Sequence, residues 1–301
     1  MIAIDLGSNT IRFVEYNCST KTWGDSYEAI VKTADRLFCT NEIKEQAIER
    51  IINAIKHAKN KLDFQNNQVL AVATAAMRLA DNAADALVKI KVQTGISFNI
   101  ISGSDEAKYT VYAVQKRLNA LHVKIKTFVL VDIGGGSTEI TFVNNNNITT
   151  KSFNIGIVTL TQQASNNGRL DNLLDNILKD VKLFIQAYYQ NNMRPELFVQ
   201  TAGTPTTLAA YLQGLGYDTY NPAKINGFIL KQNVLKQVKK ELLAMDKQTR
   251  AKYVGTGRED LIITGIDIVN QIYDILGFKD AIVIDDSLRE GLAFYYCDKL
   301  K

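Results

Sequence analysis

Histidine, cysteine and proline are all scarce in this 301-residue chain, which carries two, three and three of them. With only His57 and His122 a histidine-built metal centre is excluded, so any metal would be held through oxygen, which points to Mg²⁺, Mn²⁺ or Ca²⁺. Cys18, Cys39 and Cys297 form no C-x-x-C pair, and their odd number suggests three reduced thiols rather than a disulfide framework or a zinc knuckle. Three prolines are too few for a Pro-rich linker or a collagen-like array. No stretch approaches the ~18–20 apolar residues that cross a bilayer, and Met1 to Asp5 lacks the basic flank and cleavage site of a signal peptide. A cytoplasmic protein without a membrane partner is therefore expected. The net charge is only +4 and no Lys/Arg run accompanies it, so DNA is not an expected partner, while an anionic substrate is.

What the chain does have is an α/β alternation, with hydrophobic content of 46 % against 22 % charged residues, and enough length for two domains with a core each. One pattern occurs twice. Residues 2–16 read as an apolar strand, a polar turn at Gly7, Ser8 and Asn9, and a return strand alternating at Ile11 and Phe13. Residues 128–143 repeat the plan with a Gly-rich turn and alternation at Ile140 and Phe142. Each first strand ends in an aspartate, Asp5 or Asp132, which implies two similar domains, 1–120 and 121–301, with the boundary near 118–126. Further strands are expected at Val69–Ala73, Ser97–Ile101, Leu197–Ala202 and Ala281–Asp285. Helices are expected at Glu42–Lys61, Asp81–Lys91, Ser104–Leu118, Asp171–Gln190, Leu230–Met245, Glu259–Leu276 and Leu288–Lys299, the first of them carrying a solvated His57. Asn144 to Asn147 reads as a hairpin tip.

The turns carry the chemistry. Gly134, Gly135 and Gly136 free the backbone so that successive N–H groups can converge on one anion; Ser137 and Thr138 add hydroxyls, and Asp132 and Glu139 bracket the turn with carboxylates able to hold a cation. A bare triple glycine is equally a plain turn, and it is the two acids that favour phosphate with metal. No Walker A loop and no G-x-G-x-x-G is present. Ser8 and Asn9 form the matching turn of the first half. Arg78 lies one helical turn after Thr74, where a guanidinium could clamp phosphate or simply face solvent. Thr204 and Pro205 open a helix whose free amides suit an anion, although capping alone explains the same residues. Glu106 opens the helix after Ile101, either as a macrodipole partner or, with no histidine suitably placed, as a general base. Asp285 to Glu290 form another strand-to-helix junction.

In their order, the segments DLGSNTIRF (5–13), ATAAMR (73–78), ISGSDEA (101–107), VDIGGGSTE (131–139), TAGTPTTLAAY (201–211), GRED (257–260) and DDSLREG (285–291) resemble the exopolyphosphatase / guanosine pentaphosphate phosphatase (Ppx/GppA) family of the actin, Hsp70 and sugar kinase superfamily. The resemblance implies two ribonuclease-H-like, actin-like ATPase domains with an active-site cleft between them. It implies Glu106 as the base for attacking water, Asp132 and Glu139 as Mg²⁺ ligands, Gly134 to Ser137 with Ser8 and Asn9 as phosphate loops, and Arg78 and Arg258 as phosphate clamps. Ala75, Thr10, Asp105 and Asp286 depart from the residues usual in the family, but none is the implied base or a metal ligand.

The expected activity is Mg²⁺-dependent release of the terminal phosphate from inorganic polyphosphate, with Mn²⁺ as the other candidate ion. Guanosine pentaphosphate (pppGpp) is the alternative substrate. A small-molecule kinase of the same superfold and a non-catalytic sensor of guanosine tetra- or pentaphosphate are the rival classes. A homodimer is entertained, with no face that periodicity singles out.

Overall fold

The computed structural model describes residues 1–167, 174 and 176–300. In chain order the elements are β1 (Ile2–Leu6), β2 (Thr10–Asn17), β3 (Thr22–Ile30), α1 (Leu37–Thr40), α2 (Glu45–Lys59), β4 (Val69–Ala73), α3 (Ala75–Leu79), α4 (Ala83–Thr94), β5 (Asn99–Ile100) and α5 (Gly103–Ala120). There follow β6 (Thr127–Ile133), β7 (Thr138–Asn144), β8 (Asn147–Phe153), α6 (Ile157–Asn167), α7 (Lys179–Asn191), β9 (Leu197–Thr201), α8 (Gly203–Leu212) and α9 (Pro222–Ile225). The chain closes with β10 (Phe228–Lys231), α10 (Leu235–Ala244), α11 (Lys247–Val254), α12 (Leu261–Leu276), β11 (Asp280–Val283) and α13 (Leu288–Lys299).

Two compact units result, Met1–Gln115 with Asp286–Lys301 and Lys116–Asp285. In the first, the sheet order is β3-β2-β1-β4-β5, with β1, β2 and β3 antiparallel in turn and β1, β4 and β5 parallel. The second repeats that order as β8-β7-β6-β9-β11 and adds β10 antiparallel at the edge. Each unit is thus ribonuclease-H-like, and the duplication read from the two hairpins is borne out. β1 is buried along its whole length, as its continuous apolar run requires of a central strand covered on both faces.

The closing helix α13 belongs to the first unit, whereas the sequence reading leaves it with 121–301. Its Leu288, Leu292, Ala293 and Cys297 pack against Met1, Ala3, Val14, Tyr16 and Val72, a return that no local pattern announces. At Gly291 the helix lies flush on α5: a Cβ there would stand 1.9 Å from the Tyr109 carbonyl oxygen.

Three further expectations are corrected. Cys18, in the turn after β2, and Cys297, on α13, form a disulfide with Cα atoms 5.1 Å apart, leaving only the exposed Cys39 as a thiol; a separation of 279 residues hid the pairing. The helix expected over Leu230–Met245 begins at Leu235, because Phe228–Lys231 pairs antiparallel with β11. Of the helix expected over Asp171–Gln190, α7 supplies the part from Lys179, while 171–173 and 175 lie outside the described residues. His57 is exposed on α2, as expected. No helix among the described residues is long and apolar enough to cross a membrane.

Candidate active site

In the second unit the turn between β6 and β7 holds the expected glycines, but none of the three has a positive φ. Their contribution is lack of bulk rather than left-handed backbone. The turn closes with Gly134 N–H donating to the Ser137 carbonyl at 2.9 Å. The Gly134 and Gly135 carbonyls accept from the first amides of α6, Ile157 N–H at 3.1 Å and Val158 N–H at 2.9 Å. A trans peptide sets C=O and the following N–H in opposite directions, so tying down these carbonyls turns the Gly135 and Gly136 N–H groups away from α6. Successive N–H groups turned to one side are of the kind that can receive an anion. Gly156 makes this arrangement possible: a Cβ there would lie 2.2 Å from the Gly135 oxygen.

Beneath this turn, Asp132 and Glu139 stand directly opposite in the β6–β7 register. Ile140 and Phe142 enter the helix-covered core, so alternation places Glu139, and with it Asp132, on the other face. The row continues through Ser152 on β8 and Thr201 on β9. Asp132 is 9 % and Glu139 2 % exposed, and Ser152 Oγ donates to Glu139 Oε1 at 2.6 Å. Like charges placed opposite each other repel unless a cation compensates them. No group of three or more His, Cys, Asp or Glu side chains able to hold a metal occurs among the described residues. Two carboxylates suffice for Mg²⁺, which keeps several waters and takes its remaining ligands from substrate phosphates.

The strand-to-helix turn after β9 is strained. Ala202 holds φ 71° and ψ −175°, a region otherwise left to glycine. The Gly203 and Thr204 N–H groups open α8 with no acceptor among the described residues, which leaves them available to an anion. The Thr204 side chain is 1 % exposed and lies against Gly265 of α12, its hydroxyl without a hydrogen-bond partner. Any contribution of Thr204 to anion binding is therefore through its backbone. Arg258 lies over the Tyr217 ring, its Cζ 5.6 Å from the centroid.

The first unit repeats the device. Gly7 N–H donates to the Thr10 carbonyl at 3.0 Å. The Ser8 carbonyl accepts from Ala34 N–H at 2.8 Å and the Asn9 carbonyl from Val31 and Lys32 N–H at 2.9 Å, so the Asn9 N–H is turned the opposite way. Thr74 and Ile101 follow the carboxyl ends of β4 and β5, and each donates its N–H to the neighbouring strand, to Leu6 and Ala73. This places Ser8, Asn9, Arg78 and Glu106 at one edge of the sheet, where open α/β sheets bind ligands.

Arg78 and Glu106 meet there. Arg78 Nη1 donates to Glu106 Oε2 at 2.8 Å and to the Ile101 carbonyl at 2.9 Å. Capping of α5 falls to others, since Ser102 Oγ accepts from Asp105 N–H and donates to the Asp105 carboxylate. Asp5 occupies the place of Asp132, but its register partner is Arg12, followed by Glu28 on β3. Burial pushes the Asp5 carboxyl up to about 6, against the pull of Arg12 and Arg289. At α13, Ser287 N–H donates to Glu290 Oε2 at 2.9 Å, a capping box that accounts for part of the DDSLREG segment.

Sequence reasoning missed Gly156 and Ser152. A lone glycine carries no signal of close approach, and β8 was not read as a strand. Gln200 was also passed over. It is fully buried with neither amide atom hydrogen-bonded, and a glutamine inside the apolar run of β9 was a visible signal.

Known proteins share this plan. Exopolyphosphatase 1 of Mycobacterium leprae is 26 % identical over 304 residues, covering 96 % of this chain and 87 % of that protein. The bifunctional 3-dehydroquinate synthase/phosphatase of Fusobacterium nucleatum is 27 % identical over 309 residues; the match takes in 95 % of this chain but 44 % of that protein, so the chain spans less than half of that relative. A solved Ppx/GppA family member from Aquifex aeolicus superposes with a TM-score of 0.74 at 27 % identity, covering 100 % of this chain and 98 % of the other. An exopolyphosphatase from Cytophaga hutchinsonii shares the fold, with a TM-score of 0.84 at 23 % identity and coverage of 100 % and 98 %. The Ppx/GppA phosphatase family itself is matched over residues 26–300, and the chain accordingly belongs to that family of phosphoanhydride hydrolases.

Proposed function

We propose that the protein hydrolyses the terminal phosphate from inorganic polyphosphate in a Mg²⁺-dependent reaction. What carries this reading is a glycine turn whose carbonyls are tied to α6, leaving the Gly135 and Gly136 N–H groups to the other side, next in sequence to two carboxylates paired in register on neighbouring strands, a combination suited to phosphate and a hard cation together. Bound Mg²⁺ would neutralise charge on the phosphoryl oxygens, with Asp132 and Glu139 as its protein ligands.

The remaining work falls to the chain. Gly135 and Gly136 N–H, with Ser137, would hold one phosphate, Ser8 and Asn9 the matching turn's share, and the amides of Gly203 and Thr204 another. Arg78 and Arg258 would clamp phosphate oxygens. Glu106 would orient and deprotonate the attacking water for in-line displacement, with its carboxylate held in place by the Arg78 guanidinium 2.8 Å away.

The test is phosphate release from long-chain polyphosphate and from guanosine pentaphosphate, with and without Mg²⁺. Metal-dependent release with kcat/KM favouring polyphosphate is expected. A large preference for the nucleotide would reassign the substrate. Acceptor-dependent ADP formation from ATP would replace hydrolysis by a kinase reaction, and tight nucleotide binding without release would leave a sensor.

A further inference from the structure

Ser152 belongs to a strand that no local pattern revealed, yet it sits one register step from the acidic pair. Across β6, β7 and β8 the partners run Asp132, Glu139, Ser152. The next rung along β7 and β8 on the same face is Thr141 with Thr150, whose hydroxyls bond to each other at 2.8 Å. There the hydroxyls satisfy one another. At the Glu139 rung the hydroxyl is spent instead on a carboxylate oxygen, at 2.6 Å.

We propose that Ser152 is a positioning residue for the divalent cation, fixing Glu139 through Oε1 so that Oε2 is presented beside Asp132. The inference rests on the reading of Asp132 and Glu139 as the protein's carboxylate ligands. The geometry of the ion supports it. Mg²⁺ demands near-ideal octahedral geometry, which a glutamate with three rotatable bonds meets only when something holds it. Outer partners of this kind are typically worth about 10–100-fold in metal affinity.

The experiment is Mn²⁺ titration of the full chain, following the free-ion signal by electron paramagnetic resonance, with Mg²⁺ activation curves alongside and thermal melts to verify folding. Ser152→Ala should weaken Mn²⁺ binding by about 10–100-fold and raise the Mg²⁺ activation constant in step, leaving kcat at saturating metal near the wild-type value. Ser152→Thr, which keeps the hydroxyl, should bind within a few-fold of wild type. Wild-type affinity in Ser152→Ala, or equal losses in the Ala and Thr variants, would overturn the proposal. If Asp132→Asn binds Mn²⁺ as tightly as wild type, it is the carboxylate reading beneath the proposal that has failed.

Discussion

The two units answer the same structural question differently. Both close a hairpin by donating a turn amide to a carbonyl three residues on, and both tie the turn's carbonyls to the segment that follows the third strand. Across the first three strands, however, the first unit sets Asp5, Arg12 and Glu28 in a row, and the second sets Asp132, Glu139 and Ser152. A protein cation sits opposite the first aspartate. The second aspartate faces another acid. One frame therefore carries a cation between two acids in one copy and two adjacent acids followed by a hydroxyl in the other, so duplication of a fold does not imply duplication of its side-chain chemistry.

The sharpest way to break that contrast is to remove each aspartate in turn. Asp132→Asn should weaken Mn²⁺ or Mg²⁺ binding by at least about 10²-fold, whereas Asp5→Asn should leave it within a few-fold, as read by metal titration. Equal losses would mean that both rows bind metal.

The covalent link is the second difference, since only the first unit contains a disulfide among the described residues. Reduction should lower its stability by about 2–5 kcal/mol, seen as a fall in Tm that the Cys18→Ser variant no longer shows on adding reductant. A melt indifferent to reductant in the wild type would show that the Cys18–Cys297 bond contributes little.

The Asp5 carboxyl gives a third. Its native value is raised to about 6, mainly by burial, so between about pH 4 and 6 the native state binds more protons than the unfolded one and stability falls as pH rises. The whole effect should be about 3 kcal/mol, absent below pH 4 and fully expressed above about pH 6.5. Denaturant melts across this range should show the slope flattened in Asp5→Asn. A stability that rose over the same interval in wild type and not in the variant would contradict the assignment.

The smallest effect concerns the turns after β4 and β9. Thr74 occupies φ −119°, open to any residue, while its counterpart Ala202 holds φ 71°. Ala202→Gly should stabilise the protein by about 1 kcal/mol in denaturant melts. No gain would place the strain elsewhere.

Much of this was legible in the residues. An aspartate, a small-residue turn and a return strand, met twice, sufficed for the duplication, and β4 and α13 lie where apolar runs and caps put them. The sequence pattern was blind to β3, because a largely exposed edge strand shows no alternation, and to β10, whose four residues with one fully buried side chain merge into the helix that follows. At the site, residue types pointed to Glu106 and to the Asp132–Glu139 pair. What the spacing could not separate was Asp105, spent on capping α5, from its neighbour Glu106, which faces Arg78. The seating of Gly156 on Gly135 and the Cys18–Cys297 bond are tertiary facts, encoded only by the fold that brings distant residues together.

The central claim is that Glu106 deprotonates the attacking water while other groups bind the phosphate chain. Steady-state phosphate release from polyphosphate by Glu106→Gln at saturating Mg²⁺, with substrate binding measured separately, tests it most directly. The account predicts a fall in kcat of about 10²–10⁴-fold with binding largely intact. Turnover at the wild-type rate would remove Glu106 from the mechanism.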